Sequence, residues 1–243
     1  MVGGEASWDK GGMFDPGNRL IAALDAPSRH DADALTSRLG GVPSWLKLGL
    51  ELFCAEGPAV VADYVARGHR VMLDLKLHDI PETVARATGR VAALGAGLLT
   101  VHAGGGRAML EAAVRAAGKT RVLAVTVLTS LDEADLVAIG AHGPIRELVV
   151  RRAELAIAAG CAGVVASPHE IAAIRAIAPA EFLIVTPGVR PAGAEVGDQK
   201  RVMTPRQARE AGADLVVVGR PLRDAGDPAL AARAIVAELG GAA

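Results

Sequence analysis

The sequence predicts a single (β/α)8 barrel of the TIM type. Eight short runs rich in leucine and β-branched residues alternate with alanine-rich stretches of helical spacing. The 243 residues match the length at which such barrels close, about 250. The first strand-to-helix turn, LDAPSRHD (24–31), lacks the GxGxxG often found there in a doubly wound open sheet, the competing arrangement.

In chain order, strand one is RLIAALD (19–25), and helix ADALTSRLG (32–40) follows it. WLKLGL (45–50) leads into AEGPAVVADYVARG (55–68), and RVMLDLKL (70–77) into PETVARATGRVAALG (81–95). LLTVHA (98–103) precedes RAMLEAAVRAAG (107–118), and RVLAVTVL (121–128) precedes ELVVRRAELAIAAG (147–160). GVVAS (163–167) and PHEIAAIRAIAP (168–179) form the sixth unit, and FLIVTPGV (182–189) and TPRQAREAG (204–212) the seventh. LVVVGRPL (215–222) and PALAARAIVAELGG (228–241) form the eighth. Several of these helices end in glycine, which accepts the left-handed conformation common at C-termini. Several open on proline, whose missing N–H costs little in a first turn.

Residues 1–18, glycine-rich and mixed in charge, read as a flexible extension ahead of a barrel domain over 19–243. They contain no apolar core of a secretory signal, and no apolar run approaches the ~18 residues of a membrane span. A net charge of −1 without a basic stripe argues against nucleic acid as a partner. Two Trp, one Tyr and three Phe are too few for a stacking platform, although polar groups and aliphatic walls can still hold a nucleobase. Cys54 and Cys161 fit no metal-binding spacing and point to a reducing compartment. The expectation is a cytoplasmic protein with no membrane partner.

Chemistry in a barrel sits at the C-terminal ends of the strands. Asp25 ends strand one, Lys47 lies in strand two, and Asp74 and Lys76 lie near the end of strand three. A period of two puts Asp74 and Lys76 on one face, toward the mouth, and Leu73, Leu75 and Leu77 on the other. Desolvation makes a buried ion pair a poor stabiliser, so four converging charges point to a site rather than to packing. Gly188 near the end of strand seven and Arg190 after it, with Gly219 and Arg220 closing strand eight, suit a phosphate: backbone N–H groups approach over glycine and arginine supplies a fork. The longest irregular stretch, 190–203, follows strand seven and has the length of a functional lid. Thr129 and Ser130 follow strand five, and Ser167 ends strand six. His102 is either catalytic or a hydrogen-bonded core residue, and AGGGR (103–107) reads as a turn more readily than as a second anion loop. Asp74 and Asp79 could share a metal, but Lys76 between them already supplies a cation.

LDLKLHDIP (73–81) resembles the signature of the orotidine 5′-phosphate decarboxylase family. So, in order, do IAALD (21–25), LKLGLELF (46–53), VTVLTS (125–130), TPGVRP (186–191), GDQKR (197–201) and VVGRP (217–221). D-x-K-x-x-D alone is shared with a wider group of barrel enzymes, whereas DIP, TPGVRP and DQKR are more specific. The extension to residue 18 and Val189, where isoleucine is frequent, depart from the pattern. The resemblance implies decarboxylation of orotidine 5′-phosphate to UMP in pyrimidine biosynthesis, with no metal and no organic cofactor, by a homodimer. It implies Lys76 as proton donor to C6, Asp74 beside the reacting carboxyl, and Asp79 and Thr83 reaching the partner subunit's active site. It gives Lys47 and Asp25 the rest of the charged network and the ribose. Thr129 and Ser130 fall near the pyrimidine, and Arg190, Gln199, Gly219 and Arg220 at the phosphate and its closing loop. Two other readings share part of the pattern: a magnesium-dependent keto-sugar phosphate decarboxylase or aldolase, and a catalytically inert nucleotide-binding barrel.

Overall fold

The computed structural model describes residues 19–191 and 203–240. Eight parallel strands close on themselves in sequence order, with the eighth pairing back to the first. They are β1 (Leu20–Leu24), β2 (Trp45–Gly49), β3 (Arg70–Leu77), β4 (Leu98–His102), β5 (Arg121–Val125), β6 (Gly163–Val165), β7 (Leu183–Pro187) and β8 (Leu215–Val218). This is the single (β/α)8 barrel expected. The extension over 1–18 lies outside the described residues.

Strand alternation builds two cores. Ile21, Trp45, Met72, Leu98, Leu123, Leu183 and Leu215 point inward and fill the barrel. Their neighbours, among them Leu20, Leu46, Leu73, Leu99, Val122, Ile184 and Val216, point outward under the helices. Gly97 and Gly163 make room for this packing. A Cβ on Gly97 would stand 3.0 Å from the Trp45 ring, and one on Gly163 would overlap the Leu183 carbonyl.

The helical layer is more divided than the periodicity suggests. It comprises α1 (Arg29–Arg38), α2 (Leu50–Glu56), α3 (Pro58–Ala66), α4 (Pro81–Ala93), α5 (Gly106–Ala116), α6 (Glu133–Ala138), α7 (Ile145–Ala158), α8 (Ile171–Arg175), α9 (Pro205–Ala211), α10 (Arg220–Arg223) and α11 (Pro228–Glu238). The helix expected over 55–68 is α3, started by Pro58 after Gly57 at φ +69°, and a separate α2 that the sequence did not suggest precedes it, taking Leu50 from the expected strand two. The stretch 131–144, given no element by the sequence, holds α6, started by a capping box between Asp132 and Asp135. β5 stops at Val125 rather than 128, and β8 at Val218 rather than 222, because α10 takes over at Arg220. A half-buried clamp ties the end of α8 to the starts of β7 and β8. Arg175 donates to the carbonyls of Phe182 and Gly212 and pairs with Asp214, whose carboxylate also accepts from the Ile184 N–H.

Candidate active site

At the C-terminal mouth the four charges form one alternating row. Lys47 Nζ lies 2.8 Å from Asp25 Oδ1 and 3.7 Å from Asp74 Oδ2, and Lys76 Nζ lies 2.9 Å from the same Asp74 oxygen. β2 places Lys47 two residues before Gly49, on the same face, and Gly49 pairs with Asp74 of β3. A Cβ on Gly49 would meet Lys47 Nζ at 3.0 Å and Asp25 Oδ1 at 3.1 Å, so only glycine leaves the pair undisturbed. The side chains of Lys47 and Asp74 are 10% and 13% exposed, whereas Lys76 is 32% exposed and opens to the mouth.

Asp74 and Lys76 share a face as expected, but not through regular alternation. Leu73 pairs with Leu99 and Leu77 with Val101, so β3 carries two extra residues opposite β4. Lys76 takes φ +49°, the only positive φ at a non-glycine among the described residues. The left-handed backbone costs roughly 1–2 kcal/mol for an L-residue, and such strain gathers where a side chain must be aimed. Burial pushes the Asp74 carboxyl up. Lys47, Lys76 and hydrogen bonds from Lys76 and Thr100 outweigh it, so the group ionises below the ordinary carboxylate range.

Beside this row, Asp25 and Lys47 line a cavity of about 400 Å³ with Ala23, Pro187, Gly188, Arg190, Val217, Gly219, Arg220 and Arg223. Gly188 adopts φ +76°, open to glycine at little cost. Arg190 is buried, and its N–H donates to the Met203 carbonyl at 2.9 Å. The cavity therefore joins the carboxylate–ammonium row to three guanidinium groups, an arrangement suited to an anion held some distance from a reacting centre.

Not every expected residue joins the row. Asp79 is exposed and its Oδ1 accepts from the Ile80 N–H at 2.6 Å, and Thr83, in the first turn of α4, is exposed as well. Neither has a bond to the row of its own chain among the described residues. Thr129 and Ser130 lie in the turn after β5, closed by the Leu131 N–H on the Leu128 carbonyl. Gln199 and most of the stretch 190–203 lie outside the described residues. No group of three or more His, Cys, Asp or Glu side chains able to hold a metal occurs among the described residues.

The two possibilities for His102 separate. Its Nδ1 accepts from the Gly104 N–H at 3.0 Å, capping a short 3-10 turn over Ala103–Gly105, and its ring stacks on His78 with centroids 5.0 Å apart. Burial first, then the nearby charges of Arg152, His78 and Lys76, lower its pKa to about 4. AGGGR is thus a packed turn: a Cβ on Gly104 would stand 2.9 Å from His102 Nδ1, and one on Gly105 would overlap Met109. The His102 ring signals should stay unmoved in an NMR titration from pH 8 to 5.5, while an ordinary histidine titrates near 6.5. A midpoint above 6 would remove the neutral cap. Because the folded value is depressed, the unfolded chain binds the proton more readily, so this residue erodes stability as pH falls from about 6.5 toward 4.

Three site residues escaped the sequence reading. Thr100 hydrogen-bonds both Asp74 and Lys76, Gly49 makes room for Lys47, and Arg223 lines the cavity while paired to Asp224 at 2.7 Å. A polar residue amid the apolar strand LLTVH was the one available signal for Thr100.

Comparisons with known proteins agree with this geometry. The family model described as orotidine 5′-phosphate decarboxylase / HUMPS family matches residues 18–235. A protein named orotidine 5′-phosphate decarboxylase from Anaeromyxobacter sp. (strain K) is 58% identical over 225 residues, covering 92% of this chain and 99% of its own. One of the same name from Thermobifida fusca (strain YX) is 53% identical over 221 residues, covering 90% and 95%. The crystal structure of orotidine 5′-phosphate decarboxylase from Lactobacillus acidophilus superposes with a TM-score of 0.81 at 35% identity, over 91% of this chain and 99% of that one.

Proposed function

Since the chain belongs to the orotidine 5′-phosphate decarboxylase / HUMPS family, we propose that it converts orotidine 5′-phosphate to UMP and carbon dioxide, the decarboxylation that completes a pyrimidine nucleotide. The observation that carries this reading is the row Asp25–Lys47–Asp74–Lys76, continuous with the arginine-lined cavity.

Breaking the C6–carboxylate bond leaves its electron pair on C6, in a ring without an obvious sink. A fixed ammonium beside that atom stabilises the developing charge, and a proton from it completes UMP. Lys76 fills both roles. Asp74 pairs with the Lys76 ammonium at 2.9 Å and holds it in place. Asp74 also stands beside the carboxylate that leaves. Lys47 offsets the two aspartates it touches, and Asp25 and Lys47 take the ribose. Thr129 and Ser130 meet the pyrimidine edge, and Arg190, Gly219, Arg220 and Gln199 hold the phosphate. Binding energy from the phosphate then supports chemistry at a distance.

Asp79 and Thr83 act in a second copy of the chain, and the working form is a homodimer in the cytoplasm. The support is the exposed run from His78 to Thr83, in which Ile80, an apolar residue, is 67% exposed. No helix among the described residues is long and apolar enough to cross a membrane.

The test is the loss of orotidine 5′-phosphate absorbance with purified protein, with and without EDTA. Rapid loss that EDTA leaves unchanged is the expected result. No loss, or loss only with added magnesium, would overturn the reading and move the chain toward the keto-sugar phosphate enzymes.

A further inference from the structure

Thr100 sits at the centre of β4, fully buried, on the inward side between Leu98 and His102. It stands opposite the two extra residues of β3, where the ladder between the strands is interrupted. Its hydroxyl takes over there. The Lys76 N–H donates to Thr100 Oγ1 at 2.9 Å, and Oγ1 donates to Asp74 Oδ1 at 2.8 Å. The proton assignment has one solution. A backbone N–H can only donate and an ionised carboxylate can only accept, so the hydroxyl must receive from Lys76 and give to Asp74.

One side chain therefore touches both halves of the D-x-K pair at once. It holds the Lys76 amide, whose residue carries the left-handed φ. It also occupies Asp74 Oδ1, leaving Oδ2 to face Lys76 Nζ at 2.9 Å and Lys47 Nζ at 3.7 Å. We propose that Thr100 is a positioning residue for the decarboxylation: its hydroxyl fixes the Lys76 backbone and the Asp74 carboxylate relative to each other, and so sets where the ammonium meets the reacting carbon. This role rests on the decarboxylase reading for its chemistry, though its geometric content stands without it.

Thr100→Val keeps the branched shape and removes the hydroxyl, leaving the Lys76 N–H and Asp74 Oδ1 unpaired. The expected result is a fall in kcat of about 10- to 100-fold, the scale on which a misplaced reactive group costs rate, with KM within about threefold. Loss of a hydrogen bond to the ionised carboxylate also moves the acid limb of the kcat profile to higher pH. Thr100→Ser should return kcat to within about threefold of the parent, which a purely volumetric role would not give. Should the valine variant not fold, Thr100→Ala against Thr100→Ser isolates the same hydroxyl. Equal kcat for serine and alanine, or a folded valine variant within twofold of the parent, would overturn the proposal. Crystal structures of the parent and Thr100→Val supply a readout independent of turnover. An unchanged Lys76 backbone and Lys76–Asp74 distance would overturn the positioning role even if the enzyme reading held. A parent chain inert toward orotidine 5′-phosphate, with Lys76 displaced in the variant, would instead overturn the enzyme reading alone.

Discussion

Replacing Lys76 by alanine should lower kcat/KM for orotidine 5′-phosphate at least ~10³-fold, with the fold unchanged. The magnitude combines two effects removed together: electrostatic stabilisation by a fixed donor, about 10²–10³-fold, and general acid catalysis, about 10²–10⁴-fold. The fold should survive because the Lys76 side chain is about one-third exposed and Asp74 keeps Lys47 and Thr100 as partners. Lys76→Arg separates the two effects. The guanidinium keeps the charge but does not release a proton at neutral pH, and its plane does not fit the place of a compact ammonium. Arginine should therefore rescue little. The measurement is the initial rate of absorbance loss for the parent and both variants, with circular dichroism to establish folding. A loss under tenfold for Lys76→Ala would sink the proposed chemistry.

Asp74→Asn is expected to be nearly as severe, a drop of about 10²–10³-fold in kcat/KM, the range for one preorganised electrostatic group. The change is isosteric, yet it takes away the only negative charge between two ammonium groups. Lys76 then loses its anionic partner, and Lys47 is left with Asp25 alone. A pH experiment reads the same residue in the absence of substrate. The folded Asp74 carboxyl ionises below its unfolded value of about 3.9, so its contribution to stability is complete above that value and is lost as pH falls through the folded one. Urea midpoints of the parent should therefore drop more steeply than those of Asp74→Asn as pH goes from 5 to 3. Parallel curves would mean that Asp74 is not held by its two lysines.

What the sequence could reveal depended on the length scale of the signal. The eight strands were legible because each combines apolar side chains at period two with a turn on either side. The charged set was legible because Asp74 and Lys76 interrupt an otherwise leucine-rich strand. The local route to that arrangement was not legible. Two extra residues in β3 and the left-handed turn at Lys76 follow from pairing with β4, and no local propensity announces them. Thr100 matters through neighbours more than twenty residues distant, and Gly49 through the meeting of nearby Lys47 with distant Asp25, so spacing along the chain carries little trace of either. The end of β8 is not legible because α10 begins at once after Gly219, and no polar turn separates VVV from RPL. Asp79 and Thr83 follow from resemblance alone, and within one chain they are exposed and, among the described residues, unbonded to the charges they are proposed to serve.

The apolar filling of the barrel has a consequence for traffic. Trp45, Met72, Leu98 and their inward neighbours make a solid floor beneath Lys76, so among the described residues the chamber is blind at one end. On the proposed reading, carbon dioxide freed beside Lys76 meets this apolar filling on one side and leaves by the mouth that admits the nucleotide. Escape of the gas and retention of the nucleotide therefore compete for one passage. The order in which the two products depart becomes a property of how the mouth opens rather than of the bond that breaks.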